Sequence, residues 1–333
     1  MQKKFNTPIA FFIFRRPEET MRVFQTIRNI MPPTLFIVAD GPRNETEAEY
    51  CKEVRKIVEQ IDWPCRVLRN YSESNLGCKK RVSSGLDWVF THADKAIILE
   101  DDCLPNNSFF FFCQEMLEKY KNHKEIMHIG GVNMQEKGER KETDMNILKS
   151  YYFSRIAQIW GWATWSRAWK KYDVSMADWP RVKDEKRLST ILKKPVFIDY
   201  FEYLFQRMYN GELTTWDVAW TYTCMKENGF AIIPQENLIE NIGFGKGATH
   251  SKTHKGNFGN MKTKEMTFPL IHPDKIHIDE NADNIIYKKV FGIQQRIGQR
   301  VLWFVKSNSP YSYKLLKTIF SSIKRLFHGI NRG

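Results

Sequence analysis

Ala96-Ile97-Ile98-Leu99-Glu100-Asp101-Asp102 is the stretch whose reading decides the fold: four apolar residues stop abruptly at three adjacent carboxylates. Neighbouring acids repel one another and oppose burial, so a strand that carries three of them to its carboxyl end carries them toward positive charge. A solvated acidic turn is the plain alternative. The buried-type strand immediately before the triplet favours a charge partner instead. Hard divalent cations take oxygen ligands, often one or two carboxylates plus phosphate, and open α/β sheets bind ligands at the carboxyl ends of their strands.

Outward from this stretch the pattern repeats. Residues 7–14 and 35–39 read as buried strands, 65–68 as a third, and 96–99 as the fourth. Between them, 17–30, 45–61 and 79–91 have helical spacing, the first opened by Pro17 with Glu18 and Glu19 as helix starts prefer. Strands alternating with helices at this spacing predict an α/β fold with a mostly parallel, doubly wound sheet. Farther on, 107–121, 199–210 and 217–228 read as helices and 127–131 and 230–234 as strands. Trp160, Trp162, Trp165 and Trp169 form a dense aromatic patch, and 243–259, rich in Gly, Lys, His and Asn, suits a mobile loop.

The 333 residues carry a net charge of +13, which calls for an anionic partner. Much of that excess lies in the tail, where residues 284–333 hold ten Lys and Arg and no acid. There, 291–305 and 313–327 place bulky apolar residues at helical spacing. Leu315, Leu316, Ile319, Ile323 and Leu326 share a face opposite Lys317 and Lys324. A basic amphipathic helix of this kind lies in the interface of an anionic membrane, and packing on the body is its alternative. No nucleic-acid motif accompanies the charge. Six scattered cysteines without CxxC spacing, no secretory leader and no run of ~18 apolar residues point to a reducing cytoplasm and no membrane span.

Asp40 ends the second strand and the triplet ends the fourth, so both lie on one edge of a parallel sheet, with Gly41 in the turn. No GxGxxG and no GxxxxGK[ST] loop is present, which argues against the ordinary dinucleotide and NTPase modes. Phosphate bound through a metal on carboxylates is what remains. Arg15 and Arg16 follow the first strand, and Lys79, Lys80 and Arg81 open the third helix. These cations suit a diphosphate or a nucleobase, solvated surface being the alternative. Asp217 is either a carboxylate base or the N-cap of the helix it opens.

These residues together resemble a known family. The Arg-Pro loop after the first strand, VADGP around Asp40, NLGCKKRVSSGLDWVF and ILEDDCLPNNSFF look like the nucleotide-sugar half of GT-A glycosyltransferases. They resemble most the inverting relatives of N-acetylglucosaminyltransferase I and the family 2-like nucleotide-sugar transferases. The resemblance covers roughly residues 7–250, its pieces in order. It implies a GT-A (Rossmann-like) catalytic domain over 1–283, with a nucleotide-sugar half at 1–135, an acceptor half at 136–283 and a helical tail at 284–333. By similarity Asp102 binds Mn2+ or Mg2+ in a DxD-like motif, Glu100 and Asp101 support the site, and Asp40 takes the uridine. Arg15, Gly41, Lys79 and Arg81 stand at other donor positions, although Lys79 replaces a histidine of the compared member. Asp217 in TTWDVAW is the implied base, and 241–250 the loop that closes with Lys246 and His250 over the diphosphate.

Aromatic faces pack on sugar rings, so Trp160, Trp162 and Trp216 are the expected acceptor contacts. Trp165 and Trp169, four apart on one helical face, are expected in the core. The expected function is metal-dependent inverting transfer from a nucleotide-diphosphate sugar, a UDP-sugar, to a glycan or lipid-linked acceptor in surface polysaccharide assembly. Its expected place is the cytoplasmic face of the membrane, attached through the tail. The alternatives are a sugar-phosphate nucleotidyltransferase, which normally shows a Gly-rich basic loop that Phe14-Arg15-Arg16-Pro17 lacks, and an inactive membrane-associated carbohydrate-binding protein.

Overall fold

A computed structural model describes residues 4–135, 138–139, 148–244 and 261–293. Strand β1 (Ile9–Ile13) leads into helix α1 (Pro17–Ile30), β2 (Thr34–Ala39) into α2 (Glu45–Val58) and β3 (Arg66–Tyr71) into α3 (Gly77–His92). Strand β4 (Lys95–Glu100) is followed by the short β5 (Cys103–Pro105) and α4 (Asn107–Lys119). The chain continues through β6 (Ile126–Gly130), β7 (Tyr151–Ser154), β8 (Trp162–Trp165) and the single turn α5 (Ser166–Trp169). Helices α6 (Trp179–Asp184), α7 (Arg187–Ile191), α8 (Pro195–Tyr209) and α9 (Asp217–Lys226) precede β9 (Phe230–Pro234), β10 (Ile239–Asn241) and α10 (Glu280–Lys289). Local chemistry sets several starts: Pro17 and Pro195 stand where a missing N–H costs nothing, and Asn44 and Asn106 cap α2 and α4 with their side-chain oxygens.

Eight strands form one mixed sheet in the order β3-β2-β1-β4-β8-β6-β9-β7. β1 runs parallel to β2 and β4, and β2 parallel to β3. β8 lies antiparallel between β4 and β6, β9 parallel to β6, and β7 closes the far edge antiparallel to β9. The α/β expectation holds, with a mostly parallel sheet flanked by helices. All five residues of β1 are buried. Ala10 and Phe12 pack with Leu86, Val89 and Phe90 of α3, and Ile9, Phe11 and Ile13 alternate to the opposite face, which is covered as well.

From β1 the chain adds β2 and β3 on one side and then returns to place β4 on the other. That reversal makes the carboxyl ends of β1 and β4 a topological switch point, where a crevice opens. Register puts Phe12 opposite Glu100 and Ile13 opposite Ala39, so Arg15, Arg16, Asp40 and the acidic triplet all leave the sheet at one edge.

The chain divides into two compact units, 1–174 with 214–286, and 175–213 with 287–333. The second is built around aromatic contacts, Trp179 edge-on to Phe205 at 5.6 Å and Phe197 on Tyr287 at 4.0 Å between ring centroids. Residues 283 and 284, where the sequence reading divides body from tail, both lie inside α10. The two tail helices fall almost wholly outside the described residues. Among the described residues, no helix is long and apolar enough to cross a membrane.

Candidate active site

A cleft of about 890 Å³ opens within the first unit at the carboxyl ends of β1, β2 and β4. The heads of α3 and α9 form two of its walls, and Trp160 with Gly243 and Phe244 forms another. Of the expected site residues, Arg15, Asp40, Lys79, Arg81, Glu100, Asp101, Asp102, Trp160, Trp216 and Asp217 all line it. Lys246 and His250 lie outside the described residues.

The triplet is not left to repel itself. Asp101 accepts the Phe14 N–H at 3.0 Å and Arg16 Nη1 at 3.2 Å, and the same Arg16 nitrogen donates to Asp102 Oδ2 at 2.5 Å. Burial alone would weaken the Arg16 proton's hold, but Asp101 and Asp102 outweigh it and raise the pKa. One guanidinium does not offset three acids: burial, then the Asp102 and Asp101 charges, pushes Glu100 up to about 8, and burial with the Asp102 charge pushes Asp101 up to about 7. In the sequence Arg16 is one of two cations after β1, and its acid partners lie 85 and 86 residues away.

The triplet is also tied to the second half of the chain. β5 pairs antiparallel with β10, setting Cys103 opposite Asn241, and the Ile242 N–H donates to the Asp102 carbonyl at 2.8 Å. Gly243 then sits so close that a Cβ there would lie 2.3 Å from Asp102 Oδ2. Only glycine permits that approach.

Asp40 has a different occupation from the one expected. Its two oxygens accept the N–H groups of Gly41 and Leu76 at 2.9 Å, and Asn75 Nδ2 and the Gly77 N–H at 3.1 Å. Four donors fill a carboxylate's acceptor sites, so Asp40, which also lines the cleft, fixes the turn into α3. Gly41 is also corrected: it packs on the Glu73–Ser74 backbone, where a Cβ would lie 2.5 Å from Ser74, and does not line the cleft. Arg15 pairs with the buried Glu47 at 2.9 Å, which Arg43 also engages. Arg81 is buried, its Nη2 bonded to the Asn70 carbonyl at 3.0 Å and side-chain oxygen at 2.8 Å.

Asp217 is the first residue of α9 and not its N-cap, a place held by Trp216. One of its oxygens accepts the Thr215 hydroxyl. Trp160 meets Phe244 edge-on at 5.6 Å, a two-ring corner on the cleft wall. Trp162 overturns its expected role: it is fully buried in β8, stacked on His128 at 5.1 Å and Trp216 at 5.5 Å, and touches no part of the cleft. Trp216 reaches the cleft, but that stack occupies its ring and leaves it 1% exposed. Trp165 and Trp169 are core, as expected, though one closes a strand and the other a helical turn.

The donor set suits a hard cation: carboxylate oxygens in excess of the positive charge beside them, with Asp102 Oδ1 meeting, among the described residues, the Cys103 thiol at 3.6 Å. Among the described residues, no group of three or more His, Cys, Asp and Glu side chains could hold a metal ion alone. A cation here would rest on one or two carboxylates and on oxygens of a ligand, the habit of Mg2+ and Mn2+.

No family model matches the chain. No curated protein matches it. Among solved structures, it is similar to the galactosyltransferase LgtC in complex with donor and acceptor sugar analogues, at 11% identity and a TM-score of 0.30, over 54% of this chain and 65% of that one. It is also similar to a UDP-glucose pyrophosphorylase complexed with UDP-glucose, at 10% identity and a TM-score of 0.35, over 69% of this chain and 90% of that one. Likeness this slight decides nothing about the chemistry, which rests on the geometry of the cleft.

Proposed function

We propose that this chain is a metal-dependent, inverting glycosyltransferase (EC 2.4, hexosyl type). It moves a sugar from a nucleotide-diphosphate sugar, a UDP-sugar in the simplest case, to a glycan or lipid-linked acceptor in surface polysaccharide assembly. The observation that carries this reading is one cleft lined by Asp102, at the end of β4, and by Asp217, at the head of α9. Inverting transfer needs a base for the acceptor hydroxyl as it attacks the anomeric carbon, and Asp217 supplies it. The Thr215 hydroxyl orients one Asp217 oxygen, and the other would take that proton. Trp160 offers an aromatic face to a sugar ring. Asp102, with Glu100 beside it, would hold Mn2+ or Mg2+, which stabilises charge on the departing diphosphate. Arg16 keeps Asp101 and Asp102 in position.

A sugar-phosphate nucleotidyltransferase would use a free basic loop after β1 to grip the triphosphate. Here Arg16 is committed to the acids, and the loop has no glycine. The tail supports peripheral attachment at the inner membrane face through its acid-free amphipathic sequence. Co-sedimentation of the full chain with anionic vesicles at low salt is expected, and its complete absence overturns that part of the reading.

The decisive test uses two substitutions. Asp102→Ala is expected to abolish the Mn2+-dependent thermal stabilisation by a nucleotide sugar. Asp217→Asn is expected to keep that stabilisation and to lower transfer by about 10²–10⁴-fold. Full transfer by the Asp217→Asn enzyme refutes the base.

A further inference from the structure

Helix α9 carries Asp217 in its first turn, yet it starts without a side-chain cap, the usual local anchor of such a turn. Tyr172, just past α5, supplies an anchor from elsewhere. Its hydroxyl donates to the Trp216 carbonyl at 3.1 Å, the same oxygen that accepts the Trp220 N–H at 3.2 Å. That carbonyl belongs to the peptide group joining Trp216 to Asp217. A peptide group is planar, so a donor fixed on its oxygen also fixes the Asp217 Cα, which lies in the same plane. The Tyr172 ring is itself held: it stacks on Trp169 at 4.2 Å and 18°, and the Trp169 indole N–H donates to Asp87 Oδ1 of α3 at 2.8 Å. Burial first, and then the charge of Asp217, raises the Tyr172 pKa well above the ordinary phenol value. The hydroxyl therefore keeps its proton and stays a donor.

We infer that Tyr172 is a positioning residue, which acts through the Trp216 carbonyl to aim the Asp217 carboxylate into the cleft. This rests on the reading of Asp217 as the base. Tyr172 is not among the residues that line the cleft, so its effect on transfer passes through what it holds. The reach of a proton transfer is short, and a displacement of about 1 Å costs as much as about 10²-fold in rate. One hydroxyl on the peptide group before the base is enough to set that distance.

The test is Tyr172→Phe in the full chain, which keeps the stacked ring and removes the hydroxyl. Turnover is read as Mn2+-dependent UDP release from UDP-glucose, UDP-galactose and UDP-N-acetylglucosamine, with water and octyl glycosides as acceptors. The variant is expected to lower kcat about tenfold and to leave the donor KM and the Mn2+-dependent thermal stabilisation unchanged. In an Asp217→Asn background the same change is expected to cost nothing further, because no base is left to aim. A tyrosine with a merely structural role would impose its loss in both backgrounds. Hydrogen exchange reads the placement without turnover: the Trp220 amide, on the shared carbonyl, is expected to exchange about tenfold faster in Tyr172→Phe. Wild-type kcat in Tyr172→Phe, a loss repeated in full beside Asp217→Asn, or unchanged exchange at Trp220 overturns the proposal. Full transfer by Asp217→Asn refutes the base instead. No turnover by wild type with any of these donors counts against the sugar-transfer reading, and exchange at Trp220 then decides whether Tyr172 holds the head of α9.

Discussion

His128 gives the most exacting prediction. It sits fully buried in β6, with the face of its ring on Trp162. Its Nε2 lies 3.0 Å from the Gln158 carbonyl, and the Trp220 indole N–H points at its Nδ1 at 3.2 Å. Both contacts are made only by the neutral ring protonated at Nε2, because an added proton on Nδ1 would face another donor. Burial holds the pKa down to about 4 from 6.5. The neutral form is therefore favoured on folding: its stabilisation is complete above pH 6.5 and lost as pH falls through 4. At 1.36 kcal/mol per tenfold change, the full loss is about 3 kcal/mol. The Trp162 face attracts the imidazolium and returns up to about 2 kcal/mol, so the net loss lies between about 1 and about 3 kcal/mol. Buried Asp283, pushed up to about 7 by its burial, runs the other way and loses its contribution as pH rises. A difference measurement removes it. Urea unfolding of wild type and His128→Gln should be followed from neutral pH to pH 4; glutamine keeps one donor and one acceptor but cannot titrate. The variant is expected to be less stable at neutral pH and flatter toward acid. An acid slope equal to that of wild type refutes the reasoning.

Three further outcomes follow from packing. Gly161 has φ +57°, and a Cβ there would lie 2.4 Å from Ile239 Cδ1, so Gly161→Ala is expected to cost about 1–3 kcal/mol in a thermal or urea melt. Gly243→Ala drives a methyl onto Asp102 Oδ2, so it is expected to remove Mn2+-dependent donor stabilisation and also to lower the melting temperature of the free protein. Asn106→Ala removes the oxygen that accepts the Phe109 N–H at 3.1 Å and is expected to destabilise the protein by about 1 kcal/mol in the same melts.

The first half of the fold was legible because its strands are continuous apolar runs closed by turn chemistry. β1, β2 and β4 read directly, and Pro17 fixes the start of α1. The apolar pattern at 65–68 stops short of the end of β3, because its second half, Arg69-Asn70-Tyr71, lies on a sheet edge where polar side chains are tolerated: Arg69 reaches out to Glu59. In the second half, β7 and β8 are buried on both faces, so they carry no alternation to mark them as strands. Without that alternation Trp162 reads as an acceptor contact and Trp165 as a core position on a helical face. The three-residue ribbon of β5 and β10 is too short to carry any period.

At the site, residue types were legible and their assignments less so. A sequence shows that Asp40, Asp101 and Asp102 end strands on one edge, because strand ends are local. It cannot show how many donors each carboxylate meets, because those donors come from elsewhere in the chain. That number separates the three. Asp40 meets four, among them the Leu76 and Gly77 N–H groups, and is used up in shaping the loop. Asp101 meets a backbone N–H and a guanidinium, one on each oxygen. Asp102 shares that guanidinium on one oxygen and, among the described residues, meets a thiol with the other. Of these three, Asp102 has the weakest set of donors among the described residues, and Gly243 lies directly against it.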